Sequence, residues 1–451
     1  MIMNENWKPF YKNVMALVIP IAIQNMINVG VTAADVLMLG KVGEKVLSGA
    51  SLAGQVQFIM TLLFAGITSG ATVLTAQYWG RKDTESIEKV LGIGLAIGTG
   101  IACIFSLAAI MIPGTLMKIY TSDPLVIAEG IKYLRIVGIS YIFMAVTQVY
   151  LNIMRSIERV VISTCIYSIS LIVNVVLNWM FIFGNLGAPE LGIRGAAIAT
   201  LCARIIESMI SMWYAHFKNH VVKIRRKYVL HMDSLLLKDY LRYSMPVVLN
   251  EVMWGLGSSA NTAVIGHLGS TAVAANSVAQ MAKQLATVVA FGVSHATAIY
   301  LGKTIGEKKY RLAKSYAVRF IWISLIMGGL GALVILLAIP FAKNGLTLTA
   351  QAQTYLSFMF VVMAYFTVAQ SYNTTMVIGI FRSGGDTRFG LVMDVSTMWG
   401  CSILIGAVAA FVFHARVEVV YAILMCDELI KVPLTTLRYR KYRWLNDVTR
   451  S

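Results

Sequence analysis

Four polar residues within otherwise apolar stretches have side chains that suit the binding of a small cation. Asp35 is an isolated carboxylate that follows 22 uncharged residues. Asn174 and Asn178 are one helical turn apart, so their amides share a helix face, and Thr200 adds a hydroxyl. Such oxygens are hard ligands of the kind that Na+ favours, and the carboxylate could instead carry a proton. The alternatives are an interfacial Asp35 capped by polar neighbours, and asparagines that only join helices through hydrogen bonds.

A second group of ionisable residues lies in the C-terminal half of the chain. Glu251 follows Pro246 by five residues, and Lys283 lies at a similar depth in the next predicted helix. We expect these two side chains to approach one another, either as a substrate or proton site or as a structural ion pair. Asp394, seven residues into its predicted helix, either faces a cavity or snorkels towards the aqueous phase.

The remaining reactive side chains form no catalytic or metal-binding pattern. Arg204 with Glu207, and Glu428 with Lys431, are i, i+3 pairs that place opposite charges side by side on a helix, and a structural role is expected for them. The chain has six His without metal-ligand spacing. Its five Cys lie in apolar runs without paired spacing. No enzymatic constellation and no disulfide is therefore predicted.

The elements that must position these residues are membrane-spanning helices. The chain has 451 residues, of which 58% are hydrophobic and 13% charged. Soluble domains carry roughly 25% charged residues, and disordered chains combine low hydrophobicity with high charge, so both classes are excluded. Charge-free runs of 28, 30, 31 and 38 residues exceed the 20 or so that a spanning helix needs. Barrel strands, by contrast, alternate polar and apolar residues over about ten positions.

Charged and Gly/Pro clusters divide the chain into twelve predicted spans. These cover residues 11–39, 47–80, 89–113, 122–153, 159–184, 190–217, 235–266, 271–303, 310–341, 348–381, 387–413 and 416–437. The basic segment 218–234 links an N-terminal lobe, 1–217, to a C-terminal lobe, 235–451. Lys and Arg concentrate in connections on one side, which places both termini in the cytoplasm by the positive-inside rule. That distribution explains the net charge of +17 without a nucleic-acid partner.

An internal repeat relates the two lobes. Pro20 and Pro246 are 226 residues apart. The same offset matches Gly40 with Gly266, Gly43 with Gly269 and Ser51 with Ser277. Two six-helix halves that run in the same direction are typical of secondary transporters. Since each proline frees a backbone carbonyl within a helix, Pro20 and Pro246 are candidate hinges for alternating access.

Motifs in order along the whole chain resemble those of the multidrug and toxic compound extrusion (MATE) family. They are ADVLMLGKVG at the end of the first span, Asn174-Val-Val-Leu-Asn178, PELGIRGAAIAT from Pro189 to Thr200, and RSGGDTR from Arg382 to Arg388. The resemblance implies an all-α integral membrane fold, with twelve transmembrane helices in two pseudo-symmetric six-helix lobes that form a V. It also implies export of amphipathic, often cationic drugs or toxic metabolites, driven by inward flow of Na+ or H+ and without a cofactor. A monomer in the inner (cytoplasmic) membrane is expected.

The resemblance also implies roles for individual residues. Asp35, Asn174, Asn178 and Thr200 match the N-lobe cation site, which would bind Na+ or a proton. Glu251 matches a carboxylate used in NorM-like members. Two positions depart from the family pattern: some members have Asp at the position of Asn178, and the C-lobe Asp of NorM-like members, expected near Ser371, is absent. The first departure leaves Na+ and proton coupling hard to separate, and the second weakens any Na+ site of the NorM type in the C-lobe.

Two other functions remain open from the sequence. A lipid-linked precursor flippase of the same superfamily would commonly have a more cationic central cavity and extra helices, whereas most surplus charge here lies in connections. A membrane-embedded enzyme of the acyltransferase type would need a His/Asp, Ser/His or metal constellation within the spans. A flippase substrate assay distinguishes the first alternative from drug export.

Overall fold

The computed structural model describes residues 7–345 and 349–450, and within that part of the chain all regular structure is helical. The α-helices are α1 Lys8–Val42, α2 Glu44–Gly80, α3 Thr84–Met111, α4 Pro113–Tyr120, α5 Pro124–Ser156, α6 Val160–Phe183, α7 Ile193–Trp213, α8 Arg226–Leu230, α9 Ser234–His267, α10 Ser270–Gly306, α11 Tyr310–Gly345, α12 Ala350–Thr374, α13 Thr387–Thr397, α14 Leu404–Phe411, α15 Val417–Leu424 and α16 Asp427–Arg440. Wider π-helical turns extend α7 over Tyr214–Lys218 and α12 over Thr375–Phe381, and a third, Met398–Ile403, joins α13 to α14.

Ten of the described helical stretches are long and apolar enough to cross a membrane. The remaining two of the twelve predicted spans are α9 and the α15–α16 pair. The first carries polar residues along its length, among them Asn250 and Glu251. The last predicted span, 416–437, is interrupted between Leu424 and Asp427 and is charged after the break. Within residues 7–345 and 349–450 the prediction of an all-α fold is confirmed, and ten of the twelve predicted spans have the length and composition of membrane-crossing helices.

Local chemistry explains where several helices begin and end. The Asp83 carboxylate accepts a hydrogen bond from the Ser86 amide at 3.0 Å and caps α3, and Asp123 caps α5 through the Leu125 amide at 3.0 Å. Such caps satisfy backbone N–H groups that have no partner within the helix. At the other end of α6, Gly184 adopts the left-handed conformation (φ 71°) that ends many helices and that glycine tolerates best.

The chain divides into two compact units. The unit that we call the N-terminal unit is Ile23–Ser244, and the C-terminal unit comprises the residues up to Ala22 together with Met245–Ser451. The divisions fall beside Pro20 and Pro246, so α1 and α9 each contribute to both units. The predicted lobes, 1–217 and 235–451, instead keep each of these helices whole, and they stay a prediction.

Within the N-terminal unit, α5 packs against α2, α3 and α7, and α6 packs against α7. The basic segment predicted as a plain linker is anchored to this unit. Glu88 of α3 accepts hydrogen bonds from the Lys223 amide at 2.9 Å and from Arg225 Nε at 2.5 Å. Asn219 is buried and donates to the Tyr150 hydroxyl at 3.1 Å. The first part of the linker is therefore an ordered strap on the N-terminal unit.

Within the C-terminal unit, α10 packs against α11 and α12. The start of α1 is held there by aromatic side chains. The buried Phe10 ring stacks on Tyr316 with centroids 4.7 Å apart, and meets Tyr300 and Phe320 edge-on at 5.5 and 5.4 Å. Offset-stacked and edge-to-face pairs stabilise packing beyond the area that they bury, so this cluster fixes the first turns of α1.

The C-terminal segment packs so closely on the turn before α13 that one glycine admits no side chain. A Cβ atom on Gly384 would overlap the carbonyl oxygen of the buried Trp444. Gly384→Ala is therefore expected to displace this segment and to destabilise the protein by about 1–3 kcal/mol, as overpacking does. Thermal unfolding and trypsin cleavage after Arg438 and Arg443 would measure the effect. Gly329→Ala is the matched control, since a Cβ there meets no atom within 4 Å.

Candidate functional site

The four residues predicted to bind a cation are brought together within the N-terminal unit. Asp35 comes from α1, Asn174 and Asn178 from one face of α6, and Thr200 from α7. Asn178 Nδ2 donates to the Asp35 carboxylate at 2.5 Å and to Asn174 Oδ1 at 3.2 Å. Asn174 Nδ2 in turn lies 3.4 Å from the Thr200 hydroxyl. One continuous polar chain therefore joins three helices that are otherwise largely apolar.

One oxygen of this chain is left without a donor. Asn178 is fully buried, and its Oδ1 has no hydrogen-bond partner among the described residues. Turning the amide over would place that oxygen against the Asp35 carboxylate, where two acceptors would repel, so Asp35 fixes the orientation. A buried carbonyl oxygen without a donor is costly. Three oxygen ligands that fit Na+ are therefore present: this carbonyl oxygen, the Asp35 carboxylate and the Thr200 hydroxyl. The carboxylate alone fits a proton.

A charged pair borders the site along α7. Arg204 lies one turn beyond Thr200, and its charge acts on Asp35. Arg204 also donates to Glu207 Oε2 at 2.7 Å, and Ser170 of α6 donates to the same oxygen at 2.8 Å. Glu207 is fully buried. The predicted pairing of Arg204 with Glu207 is confirmed, and it holds a positive charge close to the carboxylate that would bind the cation.

The expected approach of Glu251 and Lys283 is wrong. Glu251 instead accepts a hydrogen bond from Arg382, at the end of the π-helical turn after α12, with an N–O distance of 3.1 Å. The Lys283 ammonium lies over the Phe366 ring, 5.0 Å from its centroid, and faces Glu428 and Asp427. Depth along a helix fixes the height of a side chain, but not the face on which it lies. Residue types and spacing do not reveal how far each helix is rotated about its axis, so Arg382 was missed as the partner of Glu251.

Asp394 is part of an ion cluster. Its Oδ1 lies 3.1 Å from the Lys431 ammonium, which also contacts Asp427 at 3.0 Å and Glu428 at 3.1 Å. Asn250 of α9 donates to Asp394 Oδ2 at 2.9 Å. The predicted pairing of Glu428 with Lys431 is thus confirmed, but as one contact of three. Asn250 was missed because an asparagine beside Glu251 in a polar stretch of α9 gives no distinct signal.

Pro20 lies inside α1 and Pro246 inside α9, and both helices continue past them. Each proline lacks the N–H that would close a helical hydrogen bond. The two units also divide beside these residues, as described above. The role of Pro20 and Pro246 as hinges stays a prediction.

Long apolar helices with a few convergent polar groups are typical of multi-pass membrane transporters. The sequence profile of the MatE family matches this chain twice, at residues 20–180 and 246–408, and the two matches begin at Pro20 and Pro246. The chain belongs to the MatE family of multidrug transporters, and the predicted internal repeat is confirmed. Its relatives are transporters and not enzymes, which excludes the membrane-embedded acyltransferase.

Curated relatives match over nearly the whole chain. The probable multidrug resistance protein YoeA of Bacillus subtilis is 23% identical and aligns with 87% of this chain and 85% of its own length. The probable multidrug resistance protein NorM of Thermotoga maritima is 22% identical, over 96% of this chain and 93% of its own. The uncharacterized transporter YisQ of Bacillus subtilis is 24% identical, over 96% and 95%.

Solved structures share the fold. One is described as the outward-facing conformation of a multidrug resistance MATE family transporter of the MOP superfamily. It matches with a TM-score of 0.86 at 19% identity and covers 96% of this chain and 95% of its own. A MOP superfamily transporter from Pyrococcus furiosus matches with a TM-score of 0.86 at 18% identity, over 98% of this chain and 97% of its own.

Proposed function

We propose that this protein is a cation-coupled antiporter that exports amphipathic, often cationic drugs or toxic metabolites by alternating access. Asp35, Asn174, Asn178 and Thr200 bind the coupling cation, which is Na+ or a proton. The protein works as a monomer in the inner (cytoplasmic) membrane of a bacterium, with both termini in the cytoplasm. Its substrates are small molecules, and it needs no cofactor beyond the coupling ion.

The observation that supports this function most directly is the donorless Oδ1 of Asn178 beside the Asp35 carboxylate. A carboxylate within a membrane span is expensive unless it is paired or used. The group that donates a hydrogen bond to Asp35 is the neutral amide of Asn178. The carboxylate charge is therefore available to attract a cation. The same cation would satisfy the carbonyl oxygen of Asn178. Both groups favour uptake of one positive charge.

Coupling follows from linkage between the two ligands. If the cation and the drug each bind better to a different conformation, each lowers the affinity of the protein for the other by the same factor. Cation entry from outside then drives release of the drug outside. The prolines in α1 and α9 supply positions at which each helix can bend without breaking a further backbone hydrogen bond.

The test is efflux of a cationic fluorescent dye from proteoliposomes, with a Na+ gradient and a pH gradient imposed separately. We expect one of the two gradients to accelerate efflux over liposomes without protein, and a protonophore to abolish the effect only if the pH gradient is the effective one. Efflux that responds to neither gradient would contradict cation coupling. Transport of a lipid-linked oligosaccharide precursor in place of dye would support the flippase instead.

Glu251→Gln is expected to lower export without loss of expression. The substitution keeps the shape of the side chain but removes the negative charge that accepts the hydrogen bond from Arg382 at 3.1 Å in a largely buried place. The measurement is drug resistance of cells that produce the variant, with the amount of protein in the membrane checked by immunoblot. Resistance equal to that of the wild type at equal expression would refute a role for Glu251.

A further inference from the structure

The connection between α7 and α9 presents a basic surface that the Asp35 site does not use. We call residues 217–232 the basic strap. This segment contains five Lys or Arg and no Asp or Glu. Its cationic residues are all exposed, and they are Lys218, Lys223, Arg225, Arg226 and Lys227. The contacts of Glu88 and Asn219 described above hold the basic strap on the N-terminal unit, so these charges have a defined place.

The basic strap lies at the level of the membrane surface. It packs on α3, which is long and apolar enough to span a membrane and whose charge-free run begins at Val90. A Cβ atom on Gly92 would lie 2.6 Å from the backbone carbonyl of Tyr228, so the strap touches α3 two residues after that run begins. Glu88 binds the strap one turn earlier. Because lipid headgroups lie just outside the hydrocarbon that the apolar run of a helix crosses, the basic strap is at headgroup depth.

The carboxylates around the basic strap are already engaged. Glu88 pairs with Arg225. Glu85 pairs with Lys89 at 3.2 Å. Asp233, directly after the strap, accepts hydrogen bonds from two amides in the first turn of α9 at 3.0 and 3.2 Å. Four strap cations make no ion pair within 4.0 Å in the described part of the chain, and they are Lys218, Lys223, Arg226 and Lys227. Their charges are therefore available to a partner outside the protein.

Apolar side chains of the basic strap are exposed beside these cations. Phe217 is 61% exposed, Leu230 76% and Met232 41%. Removing such side chains from water is favourable. Segments that combine Lys and Arg with exposed Phe and Leu lie in the membrane interface, with the apolar side chains at the boundary of the acyl chains. An anionic membrane surface therefore matches both the charges and the apolar side chains, whereas a soluble anion would match the charges alone.

We propose that the basic strap binds anionic phospholipid, with its four unpaired cations against the headgroups and its three exposed apolar side chains at the acyl chains. Each Lys or Arg close to an anionic surface strengthens association by about fivefold. A phospholipid without net charge lacks this gain. Since Glu88 ties the strap to α3, the bound lipid is held beside the N-terminal unit.

The test is native mass spectrometry of the purified full-length protein, which resolves individual bound lipids during titration. One arm uses phosphatidylglycerol, which is anionic, and the other uses phosphatidylcholine, which has no net charge. We expect the first phosphatidylglycerol to bind the wild-type protein at least about fivefold more tightly than phosphatidylcholine. The triple variant Lys223→Gln/Arg226→Gln/Lys227→Gln should reduce this preference to below about twofold. Arg225 is left in place because it docks the strap on Glu88.

The matched control is Lys41→Gln/Lys118→Gln/Arg194→Gln, which removes three exposed cations outside the basic strap and changes the net charge equally. This control should keep the preference for phosphatidylglycerol. Thermal unfolding shows whether each variant retains the fold.

A second variant, Phe217→Ser/Leu230→Ser, leaves every charge in place and should weaken the binding of both lipids. The proposal is overturned if the wild-type protein does not distinguish the two lipids, if the strap variant still does, or if the control loses the preference to the same extent. It is also overturned if the apolar variant binds both lipids as the wild type does. Lipid binding is measured without transport, so the result is independent of the proposed export.

Discussion

Asp35→Asn is expected to reduce cation-driven efflux of dye from proteoliposomes by at least about tenfold while the protein still folds. A unit charge about 4 Å from a cation is worth roughly 4 kcal/mol at an effective dielectric constant of 20. Loss of that interaction would weaken cation binding by up to about a thousandfold. In the wild-type protein, Asn178 donates to the Asp35 carboxylate at 2.5 Å. The variant keeps a side chain at position 35 that can form a hydrogen bond with Asn178. The polar chain across α1, α6 and α7 can therefore persist.

Asn178→Asp is the matched control, since it alters the partner of Asp35 while adding a carboxylate to the site. We expect this variant to keep coupled efflux and to reach half-maximal rate at a lower concentration of the coupling cation. Thermal unfolding of both variants in detergent shows whether the fold is retained. Full cation-driven efflux by Asp35→Asn would refute the assignment of the coupling site.

Lys431→Met is expected to give the largest loss of stability among the substitutions considered. It removes the ammonium that contacts Asp394, Asp427 and Glu428 at 3.0–3.1 Å and leaves three carboxylates with only Lys283 nearby. Removing one partner of a buried ion pair typically costs about 3–5 kcal/mol. We expect a marked drop in the midpoint of chemical unfolding and less protein in the membrane.

Two companion variants separate charge from packing. Lys431→Arg keeps the charge and should recover much of the stability. In the double variant Lys431→Met/Asp394→Asn, the two effects should not add, because the second substitution removes one of the carboxylates that the first leaves uncompensated. Wild-type stability of Lys431→Met would show that the carboxylates do not depend on this ammonium.

The polar residues gathered in the N-terminal unit were predictable partly from local spacing and partly from the resemblance. Asn174 and Asn178 share a face by virtue of four-residue spacing, and Asp35 is conspicuous as a carboxylate after a long uncharged stretch. Contact between α1 and α6 followed from the resemblance, and the hydrogen bond from Asn178 to Asp35 agrees with it. Residue type and spacing singled out these polar residues, and the resemblance grouped Asp35 with the two asparagines. Neither revealed the donorless oxygen, which depends on the orientation of one amide.

Partners across helices in the C-terminal unit were not predictable from the sequence. Glu251 and Lys283 have opposite charges at similar depths, yet Glu251 meets Arg382 and Lys283 meets Phe366. Which partner a side chain meets depends on how far its helix is rotated about its axis, and tertiary packing sets that rotation. Likewise, the break of the last span between Leu424 and Asp427 occurs within a run that has no Gly or Pro, while α16 continues through Pro433.

The linker shows a third limit of sequence reasoning. Its basic composition is typical of a solvated connection, and five of its residues, among them Lys223 and Arg225, are Lys or Arg. Glu88 nevertheless binds the Lys223 amide and the Arg225 side chain. In the turn before them, the buried Asn219 accepts a hydrogen bond from the Val222 amide. A single acidic residue on α3 decides this docking. Composition averages over the segment and so conceals such a contact.

The aromatic cluster around Phe10 sets the order in which the molecule can be completed during synthesis. Phe10 is among the first described residues to leave the ribosome, yet its partners Tyr300, Tyr316 and Phe320 are made roughly three hundred residues later. The start of α1 is therefore synthesised long before the aromatic residues that bury it. A chain that stops before Tyr300 therefore lacks all three of these rings, and the Phe10 face of α1 has none of them to pack against.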